Sequence, residues 1–247
     1  MRFRSWIDVK EFNANDYLKH FAPEKPFFFW HGQSIHYSVG EDGIIETIYG
    51  GDENADRVAK ENKGMTLRMC LLANRGVFEK AGVRFIERPN EDGSIFTDIE
   101  YGDTVEELDG FWKSCSAAFA QNARGKIYCI EGDEMRPGGR KPHQPYDMHE
   151  HEHDNNFNAI ELPIMMLLKK VNSVVLLSPK GDEKGEVTLE EECLKVHHKV
   201  LERNDIINYL YVYLDNITVK TFLEKLESER LKSMAITARQ KSQDLFK

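Results

Sequence analysis

The second half of the sequence alternates helical patterns with short apolar runs of strand length, and this order restricts the fold more than any other feature. Thr104-Val105-Glu106-Glu107 has the form of a capping box, and the apolar residues after it repeat at helical spacing until Gly125. A second capping box at residues 188–191 predicts another helix. Strands are predicted at residues 126–130, 173–177 and 206–214. Strands and helices in this order predict a parallel sheet.

The first half predicts a mixture of helices and hairpins. An aromatic strand begins at Pro26 and ends at Gly32, and a helix over residues 66–80 ends at Gly82. Two hairpins are predicted, residues 35–39 with 44–48 and residues 83–86 with 94–99.

We therefore expect an α/β fold, with a small parallel sheet and flanking helices in the C-terminal half and a mixed helix and hairpin N-terminal half. The expected organisation is a mixed part at 1–102 that contributes to a cleft, an α/β part at 103–216, and a C-terminal helix and tail at 217–247. Residues 131–156 are polar and aperiodic, and loops of this length are usually functional or disordered.

The charge balance disfavours two classes of partner. The 33 basic and 42 acidic residues give a net charge of −9, which argues against nucleic acid or an anionic membrane as the main partner. Four widely spaced cysteines predict buried free thiols, and the first twelve residues lack the apolar region of a signal peptide. We expect the chain in the cytoplasm, or injected or secreted without a signal peptide.

Glu161 lies in an apolar run, Ala159-Ile160-Glu161-Leu162-Pro163-Ile164, where an ionised carboxylate is costly without compensation. One interpretation is that Glu161 points outward at a turn set by Pro163. The other is that its carboxylate faces a cleft. The segment alone does not decide between them.

Trp112 and Ser116 are four residues apart on the predicted helix and are therefore neighbours on one surface. Trp112 lies on the apolar stripe, so taken alone it predicts a core residue. The same holds for Trp30, which ends a run of three phenylalanines.

The joint pattern of Phe111-Trp112-x-x-x-Ser116, a strand, and Phe157-x-x-x-Glu161 resembles the ADP-ribosyl cyclase and cyclic-ADP-ribose hydrolase family. The resemblance implies that Glu161 is the catalytic glutamate and that Trp112, Ser116 and Phe157 bind NAD, with Trp30 as a second substrate-binding tryptophan. The implied function is an NAD glycohydrolase or ADP-ribosyl cyclase-like enzyme that gives ADP-ribose or cyclic ADP-ribose, which would make it an NAD-depleting effector or toxin. NAD is then a substrate, no cofactor is implied, and an inhibitor or immunity protein would be a further partner.

These residue types suit the chemistry of NAD. Its nicotinamide is already a cationic leaving group, so cleavage of the ribose bond needs no general acid, unlike the hydrolysis of ordinary glycosides. One carboxylate can stabilise the oxocarbenium-like centre, and an indole face can hold a pyridinium.

Arg68 departs from the family, because the resemblance places there an acidic residue that contacts nicotinamide and influences product choice. The balance of hydrolysis and cyclisation therefore stays open, and so does an inactive interaction module that binds NAD without turnover. His31-Gly32 resembles the histidine-glycine pair of one class of ADP-ribosyltransferase, so transfer to a macromolecule is the alternative function. The imidazoles of His149, His151 and His153 are two residues apart and could meet one ion on an extended chain, but they lack metalloprotease spacing. A solvated polar loop is predicted there rather than a metal site, and metal binding by this cluster stays open. Oligomeric state is not indicated.

Overall fold

The computed structural model describes residues 12–31, 36–39, 45–49, 51–89, 93–131, 156–191, 203, 207, 210 and 219–228. Its strands are β1 (Phe28–His31), β2 (His36–Val39), β3 (Ile45–Tyr49), β4 (Arg84–Pro89), β5 (Ile95–Glu100), β6 (Gly125–Glu131), β7 (Val171–Leu177) and β8 (Glu183–Thr188). Its helices are a 3-10 helix (Ala14–Phe21), α1 (Gly51–Glu61), α2 (Leu67–Ala73), α3 (Arg75–Lys80), α4 (Val105–Asn122), a π-helical turn (Phe157–Glu161), α5 (Leu162–Leu168) and helical residues 219–228. The α/β fold class predicted from the sequence is confirmed.

The central sheet has four strands in the order β1, β6, β7, β8. β1, β6 and β7 are mutually parallel, and β8 pairs antiparallel with β7. The predicted parallel arrangement is therefore present, and the edge strand β8 is an addition to it.

Side chains alternate between the two faces of this sheet, as the pleat requires. Phe29 of β1 and Phe27, directly before β1, join the large core that contains α4, whereas Phe28 joins a smaller core with Ala55 and Val58 of α1. The sheet is thus covered on both faces at β1, β6 and β7, which suits their largely apolar sequences, whereas the edge strand β8 is polar and mostly exposed.

One predicted strand is wrong where the structure describes it. Ile207 and Leu210 were expected in a strand over residues 206–214, yet both are helical, and Leu210 is fully buried. A short apolar run fits a buried helix as well as a strand, and its periodicity does not separate the two.

Both hairpins of the N-terminal half are present, β2 with β3 and β4 with β5. The helix predicted over residues 66–80 is divided at Asn74, whose side chain bonds to the carbonyls of Cys70 and His20. α1 is not among the predicted elements, because its buried apolar residues are few and small and give no clear helical pattern.

The capping box before α4 is confirmed, with Thr104 and Glu107 exchanging hydrogen bonds. The second capping box also forms, with Thr188 and Glu191 bonded to each other and residues 189–191 helical. The predicted C-terminal helix is present over residues 219–228, and Val219, Phe222 and Leu226 on it are buried. The boundaries at residues 102 and 216 stay predictions, although the sheet joins β1 of the first part to β6 of the second.

Candidate active site

The arrangement of the parallel strands favours one edge of the sheet as the place for a ligand. Phe27, directly before β1, forms a parallel bridge with Met65 on one side, and β6 lies on the other side. α1 packs on one face of the sheet and α4 on the other. In open α/β sheets, ligands bind at the carboxyl ends of the strands where the strand order reverses. At this edge Trp30 of β1 and Ile130 of β6 are register partners.

The helices that carry the candidate residues run towards the same edge. Two residues separate the end of α5 from the start of β7, so Glu161, at the other end of α5, lies towards the carboxyl ends of the strands. Two residues also separate the end of α4 at Asn122 from the start of β6, and the first part of α4 therefore points the same way. The π-helical turn packs against α4, α5 and β1.

Glu161 is buried, with 6% of its surface exposed, and is the last residue of the π-helical turn. The expectation that it points outward at a turn is therefore wrong. Its neighbours along the chain, Ile160 and Leu162, are fully buried. π-helical turns within helices are rare and occur often at functional sites.

Ser116 of α4 donates a hydrogen bond to the Glu161 carboxyl group. Burial raises the pKa of Glu161 from its ordinary value of 4.5 to about 8, and the Ser116 hydrogen bond opposes this rise because it favours the charged form. A carboxyl group with this pKa can change its ionisation near neutral pH. Perturbed ionisable groups of this kind are concentrated at functional sites.

Trp112 lies one helical turn before Ser116 and is partly exposed. Its ring meets the edge of Phe111 at a centroid distance of 5.4 Å, and Phe111 is buried beneath it. Trp112 packs against the large core, as its place on the apolar stripe predicts, and part of its surface remains accessible.

Trp30 and Phe157 occupy different surroundings. Trp30 is partly buried and packs with the smaller core on the α1 face. Phe157 is 1% exposed, and its ring centroid lies 5.8 Å from that of Phe29 on the α4 face. The structure thus brings Ser116 and Glu161 into contact and sets Trp112 one turn away, whereas Trp30 reaches the carboxyl edge from the other face of β1.

Arg68 is buried and pairs with Asp56 of α1. Its Nη2 atom also donates to the Thr97 carbonyl at 2.6 Å, and its guanidinium lies 4.3 Å from the centroid of the Phe96 ring. Asp56 additionally accepts a hydrogen bond from Thr66. Arg68 therefore holds α1, α2 and β5 together, and sequence reasoning missed Asp56 because nothing in α1 distinguishes it from a solvated helical acid.

The remaining predictions concern cysteines and histidines, of which the structure describes only some. Cys70, Cys115 and Cys129 are buried free thiols as expected, and burial raises the pKa of Cys70 to about 12. His31 is the last residue of β1, but Gly32, Cys193 and the histidines at 149–153 lie outside the described residues. In the part of the chain that the structure describes, no three His, Cys, Asp or Glu side chains converge as metal ligands, and no helix has both the length and the apolar character to cross a bilayer.

Comparison with known proteins finds distant likenesses to ADP-ribosyl cyclase structures. An ADP-ribosyl cyclase complexed with N1-cIDPR shares 16% identity at a TM-score of 0.37, over 87% of this chain and 73% of that one. Aplysia cyclase complexed with the substrate NGD and the product cGDPR shares 17% identity at a TM-score of 0.36, over 79% and 71%. No family model and no curated protein matches the sequence. Likeness at this level carries no argument about this chain, and its chemistry has to follow from its own residues.

Proposed function

We propose that this chain is an NAD glycohydrolase or ADP-ribosyl cyclase-like enzyme that cleaves the bond between nicotinamide and ribose in NAD. The observation that carries the proposal is the buried Glu161 carboxyl group, bonded to Ser116, which lies one helical turn from the accessible Trp112 on α4. Burying such a group costs folding free energy, and a catalytic charge gives a reason for it.

The reaction requires a negative charge close to the ribose. As the bond from the anomeric carbon to nicotinamide lengthens, its electron pair moves to the pyridine nitrogen and positive charge develops on the sugar. The Glu161 carboxylate stabilises this charge, and its apolar surroundings strengthen the interaction relative to water. Neutral nicotinamide then leaves, and attack by water gives ADP-ribose, whereas attack by the adenine N1 gives cyclic ADP-ribose.

The ionisation of Glu161 fits a cationic substrate. With a pKa of about 8, the carboxyl group is mostly protonated at pH 7 in the free protein. A pyridinium placed beside it favours the charged form and lowers the pKa, since an opposite charge within a few ångströms has this effect. NAD binding therefore releases a proton and generates the carboxylate that the reaction needs.

The aromatic residues have separate roles in this proposal. Trp112 presents an accessible indole that stacks on the nicotinamide ring, a contact worth about 1 to 2 kcal/mol when desolvated. Trp30, near the end of β1, is the second indole proposed to contact NAD. Phe157 is enclosed against Phe29, so it supports the turn that carries Glu161 rather than offering a surface to NAD.

The experiment is to incubate the purified protein with NAD and to measure nicotinamide release by chromatography. Glu161→Gln keeps the shape of the side chain and removes its charge, and we expect release to fall by at least 100-fold. Glu183→Gln, at an exposed position on β8, is the matched control and should release nicotinamide at the wild-type rate. Equal rates for wild type and Glu161→Gln would reject the assignment.

The same incubation with adenine-labelled NAD separates the proposed function from the transferase alternative. Only small labelled products are expected here. Label retained on a protein or nucleic acid offered as acceptor would instead favour transfer, and NAD binding with no turnover would favour an inactive binding module.

A further inference from the structure

Pro163 follows Glu161 by two residues inside a helical segment that runs without interruption from residue 156 to residue 168. A proline in this position has no N–H to give to the carbonyl of Ala159, four residues earlier, and its ring clashes with that carbonyl in a regular α-helix. A sequence of this kind must kink, break or widen its helix just before the proline.

The chain widens. Residues Phe157–Glu161 form a π-helical turn in which the Leu162 N–H reaches back five residues to the Phe157 carbonyl, and α5 begins directly afterwards. Pro163 is then the second residue of α5, within the first turn, where a missing N–H is tolerated. The wide turn and the proline are therefore two parts of one local solution.

Both ends of the wide turn are fixed by the surrounding structure. At its start, Phe157 is held in the core against Phe29 of β1. At its end, Glu161 accepts the hydrogen bond of Ser116 on α4. A change from π-helical to α-helical geometry between these anchors rotates Glu161 relative to Phe157, and both contacts cannot be kept.

We infer that Pro163 is a positioning residue, which keeps the turn from Phe157 to Glu161 wide and thereby holds the Glu161 carboxyl group against Ser116. This inference rests on the proposed function for its catalytic consequence, but the placement of the carboxyl group can be measured without any substrate.

The test uses Pro163→Ala and Pro163→Val in the full chain. Both restore the N–H, and the valine keeps most of the buried volume, so that a packing defect in one variant does not obscure the result. Pro89→Ala, at the exposed end of β4, is the matched control. The first measurement is the titration of the Glu161 carboxyl carbon by NMR in the free protein, with Glu161→Gln to assign the signal, and the second is kcat and KM for nicotinamide release.

We expect the Pro163 variants to titrate at least one pH unit away from wild type, upward where the carboxyl group loses only the Ser116 hydrogen bond and downward where it also leaves its buried place. We also expect them to lose at least tenfold in kcat with KM changed less than threefold. Pro89→Ala should match wild type in both measurements. Folded Pro163 variants with an unchanged titration, or with an unchanged kcat despite a shifted titration, would overturn the inference. If wild type itself releases no nicotinamide, the proposed function fails, and the titration alone decides whether Pro163 holds Glu161 in place.

Discussion

Ser116 in the middle of α4 donates a hydrogen bond to Glu161 at the end of the π-helical turn, and both side chains are more than 90% buried. Two segments that are distant in sequence thus meet through one polar contact inside an apolar region. Because the bond favours the ionised carboxylate while burial favours the neutral acid, the ionisation of Glu161 depends on Ser116.

Ser116→Ala should therefore raise the pKa of Glu161 further. Loss of a hydrogen bond to a charged group is worth about 1.5 to 3 kcal/mol, which corresponds to about one to two pH units. The profile of kcat/KM against pH reports the free enzyme, and its rising limb, near pH 8 in wild type, should move to higher pH by this amount.

Ser114→Ala is the control for this shift. Ser114 is also buried on α4, but its hydroxyl oxygen accepts a hydrogen bond from the Ala14 N–H, so its polar contact is with the 3-10 helix and not with Glu161. Removing the Ser114 hydroxyl should lower the free energy of unfolding modestly and leave the rising limb of the kcat/KM profile at the wild-type pH. A limb that stays at the wild-type pH in Ser116→Ala would show that the hydroxyl does not tune the carboxyl group.

Stability should depend on pH through Glu161. Its pKa is raised in the folded protein, so the folded state binds the proton more tightly than the unfolded state. The tighter binding of this proton contributes to the free energy of unfolding. This contribution is fully present below about pH 4.5, is lost as the pH rises through about 8, and is on the order of 5 kcal/mol in full.

Glu161→Gln removes this dependence because the amide does not ionise. Urea unfolding of both proteins between pH 5 and 9 should show the wild type losing free energy of unfolding relative to the variant as the pH rises. Parallel curves would mean that Glu161 is not buried as a neutral acid.

The ion pair between Arg68 and Asp56 should be important for folding rather than for turnover. Removing one partner of a buried pair leaves an uncompensated charge and costs about 3 to 5 kcal/mol. Arg68→Met should therefore unfold at clearly lower urea concentration, whereas Arg84→Met at an exposed pair should change stability by at most about 1 kcal/mol.

The double variant Arg68→Met with Asp56→Asn tests the coupling directly. It should be less destabilised than the sum of the two single variants, because neither charge remains. Additive losses would contradict a direct pair and would assign the cost to the Phe96 and Thr97 contacts of Arg68 instead.

The elements that sequence patterns predicted correctly are those whose local signals agree with their packing. The capping box at Thr104 and the apolar spacing after it define α4, and the apolar runs of β6 and β7 match a sheet covered on both faces. The turn residues between the two pairs of short strands likewise predicted both hairpins.

The parts that were missed depend on tertiary contacts. α1 buries small residues and the polar Asn54 and Asp56, and its fit against β1 and the turn at Pro179 is invisible in the sequence. The burial of Glu161 could have been inferred from its apolar neighbours, but the π-helical turn was not, because Pro163 predicts only that the helix deviates there.

Trp112→Leu should weaken NAD binding without unfolding the protein. The indole is partly exposed, and its loss removes a stacking surface for a cationic ring, worth about 1 to 2 kcal/mol, so KM should rise by about 5- to 30-fold with a smaller change in kcat. Trp112→Phe retains an aromatic face and should lose less. The measurement is initial rates of nicotinamide release over a range of NAD concentrations, with thermal unfolding of each variant as a check on the fold. Wild-type KM in both variants would remove Trp112 from the substrate site and leave Trp30 as the aromatic residue to test next.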